Sequence, residues 1–274
     1  MSFKNLLLAF SGEAAFEASL EHAIKLAHYH DAWLTAIMRN GSSVFDRLGA
    51  GLPAHLRDQL REAESADTAA TIAQFQSATA AAGLGERSEF IRPDAMGDTL
   101  PSAFARNYDL VITGFQSDIP GEEHHVVSPD MVALKSGRPV LVVPNSYSAP
   151  VLSDHALLAW DGQRSAARAL GDAMDILEGK RRVTVLTVGN HPLPEPVDGG
   201  LLTHLERHGI DAEHLHRPPN TGSIAQVIED TADEIGARLI VMGAYEHSKF
   251  SQDVFGGVTH EVLKTARVPV FMSH

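Results

Sequence analysis

Two halves of this 274-residue chain carry the same four markers in the same order. LLAFSG at 7–12 returns as LLAWDG at 157–162, and Arg92-Pro93-x3-Gly97 returns as Arg217-Pro218-x3-Gly222. DLVITG at 109–114 matches RLIVMG at 238–243, and Leu134-Lys135-Ser136 with RPVLVVP matches Leu263-Lys264-Thr265 with RVPVFMS. An ordered internal repeat means one fold built twice. The offset falls from 150 at the first marker to 125 at the second, so the first half holds about 25 extra residues within 40–87. That stretch reads as one long helix over 53–82, with Pro53 at its first position and Gly83 just past its end. The polar segment PNSYSAPVLSD at 144–154 suits a linker. The domains expected are 1–146 and 152–274.

Each half alternates strands with helices. In the first, strands are expected at 5–10, 32–38, 87–91, 109–114 and 139–143, with helices at 13–29, 53–82, 98–107 and 129–136. Phe16, Leu20, Ile24 and Ala27 form the apolar stripe of the first helix. The second half has strands at 156–160, 182–188, 211–216, 238–242 and 268–272. DLVITG and PVLVVP are continuous apolar runs, as strands covered on both faces require. The fold class is α/β: two tandem doubly wound parallel five-stranded sheets, Rossmann-like and of the nucleotide-binding alpha-hydrolase type. Ligands of such sheets sit beyond the carboxyl ends of the strands.

Composition narrows the function. A formal charge of −13, shared as −7 and −6 between 1–150 and 151–274, opposes nucleic-acid binding, which needs a basic face. No apolar run approaches the roughly 18 residues of a membrane span, and the first residues do not read as a signal peptide. A cytoplasmic protein is expected. Zero cysteines exclude thiolate nucleophiles and cysteine-bound metals. No P-loop, GxGxxG or GxSxG is present, so no residue is marked as catalytic.

Two loops of the second half carry ligand-binding chemistry. Asp161-Gly162 follows the first strand, where a carboxylate accepts hydrogen bonds from a sugar or base. Gly243 opens the loop after the fourth strand, and Gly256-Gly257 begin the last helix, where bare amides approach an anion. These loops also serve turns and caps in many proteins. At these residues the chain resembles the universal stress protein family in its tandem two-domain form. The resemblance spans nearly the whole chain and is most specific in VMGAYEHSKFSQDVFGGVTHEVLKTARVPVFMSH at the end.

ATP-binding members of that family share a strand-one Asp and a G-x2-G-x9-G-[S/T] loop, which map here to Asp161, Gly243, Glu246, Gly256 and Gly257. The spacing is kept, but Glu246 and Gly257 depart from the pattern. Like charges about 4 Å apart repel by roughly 4 kcal/mol at an effective dielectric near 20. The resemblance thus implies ATP or another nucleotide as cofactor, weakened by Glu246 and Gly257 unless a divalent cation or Lys249 compensates. His247 in the same loop is a candidate ligand contact. The first half has Ser11 for the Asp and Val127-Ser128 for the glycine pair, so it reads as nucleotide-incompetent.

The fifteen histidines offer a different chemistry. His204 and His208 share a helix face, and His214 and His216 share a strand face. Converged, the four would hold zinc in a metal-binding or hydrolytic site, although the general-base Glu of HExxH is missing. A ligand-free interaction scaffold is the third reading. The resemblance further implies pairing through the fifth strands, so the two halves form an intramolecular pseudo-dimer, with a homodimer as an option. Small-ligand sensing in a stress response through the second half is the leading expectation.

Overall fold

The computed structural model describes residues 3–10, 13–38, 53–96, 99–115, 127–190, 195–218, 222–244 and 257–274. The first half runs β1 (Asn5–Ala9), α1 (Glu13–His30), β2 (Trp33–Ile37), α2 (Ala54–Ala81), β3 (Ser88–Ile91), α3 (Pro93–Met96), α4 (Pro101–Phe104), β4 (Leu110–Gly114), α5 (Pro129–Ser136) and β5 (Val140–Val143). The second runs β6 (His155–Ala159), α6 (Arg164–Leu177), β7 (Arg182–Val188), α7 (Glu195–Arg207), β8 (Ala212–Arg217), α8 (Ile224–Ile235), β9 (Ile240–Gly243), α9 (Val258–Thr265) and β10 (Val270–Ser273). Every expected strand is present.

The helices differ in detail. Pro53 is the N-cap of α2, one position before the expected place, because its ψ of 145° is extended. Gly83 sits past the helix end at φ +72°, and Leu84 N–H reaches back to the Thr79 carbonyl at 2.8 Å. That bond satisfies a carbonyl the helix end leaves open. The helix expected at 98–107 is α4 followed by a 3-10 turn at Ala105–Asn107, and the short α3 was not anticipated.

The ten strands form one sheet in the order β3-β2-β1-β4-β5-β10-β9-β6-β7-β8. The two expected five-stranded sheets adjoin through β5 and β10. Within each half all neighbours are parallel, whereas β5 and β10 run antiparallel, with Val140 opposite Met272 and Leu141 opposite Phe271. Each half has the order 3-2-1-4-5, so the strand order reverses between β1 and β4 and again between β6 and β9. Crevices for ligands open at such reversals.

Helices cover both faces. One core cluster joins Phe16, Leu26 and Phe75 of the first half to Leu170, Ile176 and Leu205 of the second. The other gathers Val132, Ile228, Val262 and Leu263 on the opposite face. In α6 the buried stripe is Ala166, Ala169, Leu170, Ala173, Ile176 and Leu177, the helical repeat of an apolar face. Its alanines let the helix lie close to β9.

Candidate functional site

The carboxyl edges of β6 and β9 bring two of the expected residues together. Ala159 pairs with Met242 across these strands, so Asp161 and Gly243 leave adjacent strands at the same edge. Asp161 is exposed, and its Oδ1 accepts the Gln163 N–H at 2.9 Å. Gly162 adopts φ +74°, which a residue with a side chain resists. This Asx-type turn directs the chain into α6.

Gly243 has a reason to be glycine that sequence reading missed. A Cβ there would lie 2.6 Å from Ala166 N and 2.7 Å from the Ser165 carbonyl carbon. The N-terminus of α6 therefore rests directly on the end of β9. That contact brings the first turn of α6 to the crevice.

Gly257 is the N-cap of α9 in an extended conformation, and a Cβ built on it meets nothing within 4 Å. Among the described residues nothing crowds this helix start. Glu261 lies in the first turn of α9, and its carboxylate takes the Ser223 hydroxyl at the start of α8. Glu246, His247 and Gly256 lie outside the described residues.

The first half builds the same corner differently. Gly114 ends β4, but Val127 is buried at 3% exposure and Pro129 opens α5. Val127 and Ser128 stand where the second half has Gly256 and Gly257, and Pro129 follows as the first helical residue. Ser11 lies outside the described residues.

The four-histidine site does not assemble. The His204 and His208 rings stand 4.8 Å apart, and His208 Nδ1 lies 2.9 Å from Glu178 Oε1. Leu201 and Leu205 take the sheet-facing stripe of α7, so the histidines beside them turn to solvent. His214 Nε2 and His216 Nδ1 both meet the Thr187 hydroxyl, at 2.8 and 3.1 Å. One hydroxyl hydrogen serves one of these rings, and the other ring donates in return. Among the described residues no group of three or more histidines and carboxylates is placed to hold a metal.

The fold defines a doubly wound α/β protein whose strand order reverses once in each half. Residues 153–274 match the model of the universal stress protein family. The second half is thus similar to a universal stress protein domain, and the first half repeats the fold of the second. A universal stress protein from Archaeoglobus fulgidus superposes with a TM-score of 0.70 at 19% identity, covering 98% of this chain and 96% of that one. A protein of unknown function from Pseudomonas aeruginosa gives 0.54 at 16% identity, covering 98% and 92%. At these identities the likeness speaks for the fold. No curated protein matches the chain. Among the described residues no helix is long and apolar enough to cross a membrane.

Proposed function

We infer that this is a universal stress-type protein whose second half binds a small ligand of nucleotide class, acting as a sensor in a cytoplasmic stress response. The observation that supports it is the crevice at the β6–β9 reversal, where Asp161 and Gly243 share one edge. Asp161 addresses a ribose or base, and the amides at Gly256 and Gly257 an anionic group. Glu246 selects against triphosphate or helps to hold a divalent cation, and His247 contacts the ligand. The first half keeps the fold and serves as the internal partner of the second, in place of another copy of the chain.

Titration calorimetry of the whole chain with AMP and ATP tests this reading. Binding of either that Asp161→Ala weakens tenfold or more is the expected result. The double change Glu246→Gly with Gly257→Ser should raise ATP affinity at least tenfold by removing a charge and restoring a hydroxyl. No heat with either nucleotide, and no small molecule co-purifying in native mass spectrometry, would leave an interaction scaffold instead.

A further inference from the structure

A cavity of about 390 Å³ opens where α1, the end of α6 and the 144–154 connection meet, on the seam between the halves. It is within the roughly 300–1,000 Å³ range of small-molecule sites. Its apolar wall includes Leu26, Leu141, Leu152, Ile176 and Leu239. Tyr29 and Val151 rim it, 56% and 72% exposed. Gly179 lets the Tyr29 phenol cross from one half to the other, since a Cβ would stand 1.9 Å from its hydroxyl.

The polar lining is unusual for so acidic a chain. Lys25, Lys180 and Arg238 face the cavity against one carboxylate, Asp154. Lys25 is paired with Glu21 and also donates to the Ala149 carbonyl. Lys180 Nζ donates to the Ser153 carbonyl at 2.6 Å, and an ammonium has three donors. Among the described residues no carboxylate forms an ion pair with Lys180 or Arg238. With Lys25 offset by Glu21, Lys180 and Arg238 stand against Asp154 and leave one positive charge uncompensated. His22 reports the same field: burial first, then Lys25 and Lys180, lowers its pKa to about 4. Burial also lowers the Lys180 pKa.

We propose that this seam cavity binds a small organic carboxylate with an apolar body, its charge met by Lys180 and Arg238 and its body by the leucine wall. One net charge and few polar atoms suit a monoanion, not a phosphate chain. The site is distinct from the nucleotide crevice. Asp154, Lys180 and Arg238 precede β6, β7 and β9, whereas Asp161 and Gly243 stand at the other ends of β6 and β9. A five-residue strand at about 3.3 Å per residue separates the two edges by roughly 16 Å.

The test uses the full chain, sodium 2-naphthoate as probe and neutral 2-naphthamide as control, read by titration calorimetry near neutral pH. The expected result is one naphthoate per chain, the amide at least tenfold weaker, and no displacement by excess AMP. Lys180→Gln and, separately, the exposed Arg238→Gln should each weaken naphthoate tenfold or more. Circular dichroism checks that both variants fold, and the amide comparison needs no variant. Absence of naphthoate binding, equal affinity for the amide, displacement by AMP, or full affinity in both folded variants would overturn the proposal.

Discussion

Gly243 and Gly179 both lack a side chain because another group is too close, yet the two contacts differ in kind. At Gly243 the neighbours are the α6 backbone at Ser165 and Ala166, which move only with the helix. Gly243→Ala is therefore expected to destabilise the protein by about 2–3 kcal/mol or more in urea denaturation, as overpacking against backbone does. At Gly179 the obstacle is the tip of Tyr29, which is more than half exposed and swings aside, so Gly179→Ala should cost under about 1 kcal/mol.

His22 supplies a pH signature. Burial and the neighbouring Lys25 and Lys180 hold its folded pKa near 4 against an ordinary 6.5, while Glu21 pulls weakly the other way. His30 is held near 4 by burial, Lys4 and Lys180. The unfolded chain takes up these protons from about pH 6.5 downward and the folded chain only near pH 4. The stability that these two histidines contribute is thus full above about pH 6.5 and is lost between pH 6.5 and pH 4. For His22 the loss is on the order of 3 kcal/mol. Urea midpoints across this range should show it, and His22→Leu should flatten the slope.

Among the elements, α2 is the least evenly held. Its described side chains from Ala54 to Asp67 are exposed, whereas Thr71, Phe75 and Thr79 are buried. Phe75 packs edge-on against Phe90 of β3 at 5.6 Å. Hydrogen exchange should be fast in the first three turns and slow from Thr71 onward. Phe75→Ala should cost about 3–4 kcal/mol by emptying the anchor.

The extent of α2 was legible because proline and glycine mark its ends. The strands were legible because burial on both faces writes an unbroken apolar run. Strand spacing also put Asp161 and Gly243 at one edge of the sheet, while Glu246, His247 and Gly256 lie outside the described residues. Facing, in contrast, is not written in local spacing. His204 and His208 share a stripe, but Leu201 and Leu205 beside them claim the sheet. The seam cavity was invisible for a related reason: its lining comes from four separated segments, each unremarkable alone.

For the whole molecule, the antiparallel contact of β5 with β10 is the organising feature. It covers Val270, Phe271 and Met272, all fully buried, which would otherwise form an open apolar strand edge. A fragment spanning 152–274 is therefore expected to self-associate, two copies pairing through β10. Light scattering should find that fragment dimeric at micromolar concentration. A monodisperse, soluble monomer would mean that the helices, not the strands, hold the halves together.

Joining the halves in one chain also changes what substitution does. In a two-fold assembly of identical copies, every change falls on both sites at once, so a site cannot be lost from one copy and kept in the other. Here a change falls once. Val127 and Ser128 stand at one corner while the matching corner keeps its glycine pair, and the cations of the seam have no mirror-image duplicates to repel. Fusion frees each half to answer to a different constraint.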